Sequence, residues 1–260
     1  MDEEALSSAV ELARLEELIC FHAVAALTFS IYDYGLTWID EVELLWPHTF
    51  RSPVKLTFLL NRYSGLLGQI ALTMRIVTHS VDTCSIHDSK RLWLLQTSLF
   101  CILMICLQAI LSLRAYALYI RDSRVASSML VMLGVQTAAL PGLAHFTREM
   151  PSGFPGPLCL SIMSTEVGMY YSMIIIPPQI VALALTFHKF ITGRRAGFGK
   201  TQIVAGLLRD DAAVVLVTLS MLFTVVVSTK IDEKHSLVLY WWMLAIYPAM
   251  DNYQLPKACS

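Results

Sequence analysis

Two ionisable residues interrupt otherwise apolar runs: Asp33 between Leu18 and Ile39, and Arg62 between Leu56 and Thr78. A charge placed in lipid costs about 2.5–3.5 kcal/mol on insertion scales, so such residues pair with each other or face a cavity. Asp33 lies six residues before Ile39, and Arg62 lies seven after Lys55. As helices, those offsets put the two charges roughly 9 and 10 Å deep, measured from the side where the runs join. Adjacent antiparallel helices then hold both at one depth, and an Asp33–Arg62 ion pair is expected. Its first reading is a staple between the two helices; its second is a proton or ligand site. Arg114, which ends a third apolar run, either joins that inner polar cluster or snorkels to lipid phosphates.

Other residue sets are weaker. Gly193–Thr201, "GRRAGFGKT", looks like a phosphate-binding loop, but five residues rather than four separate Gly193 from Gly199. It reads as a basic loop near anionic lipid. Trp38–His48 offers Asp40, Glu41, Glu43 and His48 as oxygen and nitrogen ligands, without any spacing specific to a metal. Ile39, Val42, Leu45 and Trp46 recur there at helical intervals instead, which fits an interfacial helix. The seven histidines are scattered, and no Ser sits in a nucleophile-elbow turn. No metal site, cofactor or catalytic set emerges, so an enzyme is the least supported class.

These residues must be positioned by helices in lipid. The chain has 260 residues, 56% hydrophobic and only 15% charged, against about 45–50% and about 25% in soluble domains. A net charge of -1 gives no basic balance for nucleic acid. About 20 mainly apolar residues cross the bilayer as a helix. Leu92–Leu113, Val125–Leu143, Val167–Phe187 and Ala212–Thr229 meet this without a charge. Leu18–Ile39 and Leu56–Thr78 meet it with one or two charges, and the shorter Ser236–Met250, with Trp241 and Trp242, is the seventh. The expected fold is an all-α polytopic transmembrane helix bundle of seven spans. It has an acidic N-terminal segment (1–17), the bundle (18–250) and a C-terminal tail (251–260). Val225-Val226-Val227 favours strands in water, but in lipid the backbone must satisfy itself and spans become helices. Pro177-Pro178, mid-span, is a helix kink.

Asp2, Glu3 and Glu4 open the chain where a cleavable signal peptide carries basic residues, so the first apolar run is expected to act as an uncleaved anchor. With the N-terminus outside, the inner loops and tail hold ten Lys and Arg residues against six outside. The positive-inside rule therefore gives N-outside, C-inside, in the plasma membrane or an endomembrane. Cys84 and Cys159 then both fall in outer loops, where an oxidising compartment permits a disulfide between them.

Tyr32–Trp46, "YDYGLTWIDEVELLW", and Phe58–Ile70, "FLLNRYSGLLGQI", are distinctive together. They resemble the signature of a fungal, mainly basidiomycete, family of membrane proteins, domain of unknown function 6533. The matching positions are Tyr32, Asp33, Tyr34, Glu41, Val42, Trp46, Asn61, Arg62 and Tyr63, within a signature of about residues 22–70. The resemblance implies a multi-pass membrane protein and no activity. Three function classes follow. A receptor-like sensor with a small-molecule ligand fits the span number and orientation best. A transporter of small molecules or ions would line a path with the paired charges, and a non-catalytic scaffold would keep a dry core. The lipid bilayer is the one partner common to all three.

Overall fold

The structure, a computed structural model, describes residues 2–44, 53–79, 86–119, 122–147, 165–195, 202–231 and 236–252. They form seven helices: α1 (Asp2–Leu44), α2 (Pro53–His79), α3 (Ile86–Leu118), α4 (Ser123–Thr147), α5 (Thr165–Arg195), α6 (Gln202–Ile231) and α7 (Ser236–Asn252). The β-branched run at Val225 is helical, because a helix closes its own backbone hydrogen bonds where no solvent can. Pro53 starts α2, where its missing N–H is one the helix leaves unpaired anyway. Asp122 caps α4 through its side chain, accepting from the backbone N–H of Arg124 at 3.0 Å.

The chain is an all-α polytopic bundle. Among the described residues, five helices hold a stretch long and apolar enough to cross a membrane: Ala13–Ile39, Arg91–Leu118, Ser123–Leu140, Met169–Thr192 and Arg209–Ser228. The apolar part of α7, Val238–Met250, is shorter. At 27 residues α2 is long enough, but polar residues dilute it. Four of them, Asn61, Arg62, Gln69 and Thr73, are turned into the bundle. α1 is helical from Asp2, through the acidic start, and the same helix carries Glu41 and Glu43 at its far end.

Each helix packs on the next and α7 packs back on α1, closing a ring; α3 also touches α5 and α7. Contacts fix the directions. Gln69 of α2 donates to the Trp241 carbonyl of α7, and Gly65 lies against Pro248, so these helices are antiparallel. Gln108 of α3 and Tyr119, just after it, reach Pro178 and Leu185 of α5, so those two helices are parallel. Odd-numbered helices thus end, and even-numbered ones begin, at a single end of the bundle, here called the charged end.

Polarity is inverted relative to a water-soluble protein. Phe21, Ile39, Leu67, Val131, Met173, Leu216 and Phe223 are exposed, while Asp33, Glu41, Arg62, Gln69, Gln108, Gln136 and Gln179 are buried. Lipid is the solvent that rewards this arrangement, since apolar side chains cost nothing there and polar ones need partners inside. Hydroxyls facing outward bond their own helix: Thr28, Thr78 and Thr224 donate to the carbonyls of Val24, Met74 and Ser220.

Candidate functional site

The first cluster joins α1, α2 and α7 at the charged end. Arg62 Nε lies 3.1 Å from Glu41 Oε2, and both side chains are nearly inaccessible. Arg62 Nη2 donates to the Tyr34 carbonyl at 3.1 Å. The guanidinium also stacks over the Tyr34 ring, 4.6 Å from its centroid, with the Phe58 ring at 5.9 Å. A desolvated cation on aromatic faces gains from the ring quadrupole. Tyr63 Oη donates to the second oxygen, Glu41 Oε1, at 3.1 Å, and the Tyr34 and Tyr63 hydroxyls are 3.3 Å apart. Glu41 is thus held by a charge on one oxygen and a phenol on the other.

Asp33 is buried, and it lines one small cavity with Tyr34 and Arg62 on one side and Ala245, Pro248 and Ala249 of α7 on the other. Some 20 Å³ of that space admits water, room for one or two molecules, since one needs about 10–15 Å³. The structure therefore brings Asp33 and Arg62 to the same wall. The carboxylate 3.1 Å from Arg62 Nε is that of Glu41. The expected interfacial helix around Trp38–His48 is helical as far as Leu44, with Ile39 and Val42 exposed and Glu41 buried; Leu45, Trp46 and His48 lie outside the described residues.

The second cluster joins α3, α5 and α6 at the same end. Arg114 Nη1 meets Asp211 Oδ1 at 3.2 Å. Thr186 Oγ1 bonds the Ala182 carbonyl and lies 3.4 Å from Asp211 Oδ2. Of the two readings for Arg114, neither membership of the Asp33–Arg62 cluster nor snorkelling describes this geometry: its carboxylate comes from α6. Just beyond the end of α3, Tyr119 Oη donates to the Leu185 carbonyl at 3.1 Å and lies 3.3 Å from His188 Nδ1. Lys189 Nζ sits 5.2 Å from the same ring. Burial pushes the Tyr119 hydroxyl above its ordinary range, which keeps it protonated and able to donate. The Arg209–Asp210 contact, 3.7 Å with Arg209 largely exposed, is a surface pair of little energetic weight.

Pro177 and Pro178 lie inside α5, which continues through both; Gln108 Nε2 reaches the Pro178 carbonyl at 3.4 Å. Cys84 and Cys159 lie outside the described residues, as do His48 and residues 196–201 of the basic loop. Cys101 and Cys106 are buried, and Cys101 packs in an apolar cluster with Met104, Leu107 and Tyr171, as core thiols do. Among the described residues, no three His, Cys, Asp or Glu side chains gather as a metal site.

Sequence reasoning missed three participants. Asp211 stands directly before the apolar run at Ala212 and so looked like a loop residue, although an acid at a span edge is itself a pairing signal. Glu41 was hidden in an acidic stretch. Pro248, which packs on Gly65 beside the cavity, had no signal until α7 was placed. A search of curated proteins found no match to the chain. Residues 21–67 match the model of a family of unknown function, DUF6533, and this stretch contains Asp33, Tyr34, Glu41, Phe58, Arg62 and Tyr63, every α1 and α2 member of the first cluster described above.

Proposed function

We propose that this protein is a non-catalytic, receptor-like sensor of fungal origin. All seven helices cross the plasma membrane or an endomembrane, the N-terminus is outside or lumenal, and the charged end faces the cytosol. The excess of Lys and Arg in the loops at that end supports the orientation, and the family signature supports the fungal source. A small-molecule ligand acts from the outer side. One observation carries the reading: the Arg114–Asp211 pair, its carboxylate buried and its guanidinium partly so, fastens α6 to α3 at the charged end. α3 touches more of the bundle than its ring neighbours alone, so releasing α6 from it rearranges the face presented to the cytosol.

Removing one partner of a buried ion pair costs about 3–5 kcal/mol because the other is left uncompensated. The pair therefore defines a closed state, and a ligand that prefers the open arrangement shifts the balance by its differential affinity. The test uses the full chain in lipid vesicles with spin labels at Arg124→Cys on α4 and Arg209→Cys on α6, both exposed positions, and the native cysteines replaced. Asp211→Asn is expected to lengthen the distance distribution. Identical distributions in the parent, Asp211→Asn and Arg114→Gln would sink the reading. Dissipation of a pH gradient across sealed vesicles, abolished by Asp33→Asn, would replace it with a transporter.

A further inference from the structure

Three glutamines on three helices lie within about 5 Å of one another in height in the bundle interior. Gln108 (α3), Gln136 (α4) and Gln179 (α5) are 0%, 1% and 0% exposed. Gln108 precedes the end of α3 by ten residues, and Gln136 follows the start of α4 by thirteen. At 1.5 Å per residue they are about 15 and 20 Å from the charged end, near the middle of a bilayer about 30 Å thick. The bond from Gln108 to the Pro178 carbonyl sets the neighbouring Gln179 at the same height. Gln136 shares the buried stripe of α4 with Met129 and Leu140, and α4 packs on α3 and α5, so that stripe faces those two helices.

Both amide atoms of Gln136, both of Gln179 and the side-chain oxygen of Gln108 have no protein hydrogen-bond partner. Ser112 Oγ, one turn along α3 from Gln108, has none either. Nearly all buried polar atoms of native proteins are paired, and hydrocarbon supplies no partner.

We propose that Gln108, Gln136 and Gln179 form a binding site for a small cluster of water molecules at mid-bilayer depth. Each carboxamide is uncharged and offers both a donor and an acceptor. Such a set selects a neutral molecule that also donates and accepts, and water is the smallest one. Folded proteins hold about one buried water per 27 residues, each with about three hydrogen bonds to otherwise unpaired groups, so a cluster here is of ordinary size for this chain. Met104, Leu107, Leu140 and Ile175 make the nearby core apolar, which confines the water to the glutamines. The polar line continues toward the charged end: Ser112 stands two residues from Arg114, and Gln179 seven from Thr186, which touches Asp211. The hydrated site therefore abuts the α3–α6 pair, whether or not that pair is a switch.

The test is X-ray hydroxyl-radical footprinting of the full chain in lipid nanodiscs. Radicals form from the waters themselves, so buried side chains beside a bound water are oxidised. Met104 and Leu140 are expected to be oxidised several-fold more in the parent protein than in Gln136→Leu/Gln179→Leu. High-resolution cryo-electron density of the parent is the second measurement, and it decides alone if the double variant does not fold. Density for water between the amides supports the site. Glutamine amides bonded directly to one another, with no density between them, overturn it, as does equal oxidation of Met104 in parent and folded variant.

Discussion

Arg62 shows how little a charge alone determines its partner. Asp33 and Glu41 are eight residues apart on α1, so both turn toward α2, and both are buried. Glu41 supplies the oxygen at 3.1 Å from Arg62 Nε and also accepts from Tyr63. The prediction at this scale is a double-mutant cycle. Glu41→Gln and Arg62→Gln are each expected to lower stability in detergent by about 3–5 kcal/mol. The double variant should lose clearly less than the sum, read from thermal unfolding. Strict additivity would show that the two side chains do not interact. Asp33 and Arg62 were legible from sequence because an isolated charge in an apolar run stands out. Glu41 was not, because three acidic residues within four positions, Asp40, Glu41 and Glu43, look solvated until the helix register is known.

At the scale of elements, the contact between α2 and α7 rests on an absent side chain. A Cβ on Gly65 would lie 2.5 Å from Pro248 Cγ and 3.4 Å from the Leu244 carbonyl oxygen. Proline is a rigid neighbour, so Gly65→Ala is expected to push the helices apart and cost about 1–3 kcal/mol, the range for overpacking. Gly35 on α1 has nothing within 4 Å, and Gly35→Ala is expected to be neutral or to stabilise by up to about 1 kcal/mol through helix propensity. Melting temperatures of the two variants in the same detergent check this, and equal shifts would contradict the close approach. Gly68 is a milder case, because a Cβ there meets the flexible side chain of Leu99, which can rotate away. Gly65 thus sits at the α2–α7 contact and Gly68 at the α2–α3 contact, and the matched family stretch, residues 21–67, includes Gly65.

For the whole molecule, the inverted polarity has a direct consequence. The chain is expected to stay in the pellet after alkaline carbonate extraction and to need detergent for release. Its presence in the detergent-free supernatant would contradict lipid as its solvent. Orientation has its own check: a thiol reagent that cannot cross membranes should label Arg14→Cys in sealed cells or inside-in vesicles, and Arg124→Cys only after permeabilisation. Both positions are exposed. The reverse pattern would turn the molecule over and place the Arg62 and Arg114 clusters on the outer side.

What the sequence determined by itself was the apolar, membrane-type character of the helices, the all-helical architecture and that Asp33 and Arg62 come to one place along α1 and α2. Hydrophobicity summed over about 20 residues is a local quantity, and the rise per residue fixes depth along any straight helix. Tertiary structure decided that Glu41 also meets Arg62 and that Arg114 finds Asp211 across 97 positions of chain. It also buried three glutamines distant in sequence, Gln108, Gln136 and Gln179, inside the bundle. Those outcomes depend on the rotation of each helix about its own axis, where one residue turns a side chain by about 100°. That rotation is set by neighbouring helices through contacts such as Gly65 on Pro248, and no local stretch of sequence contains them.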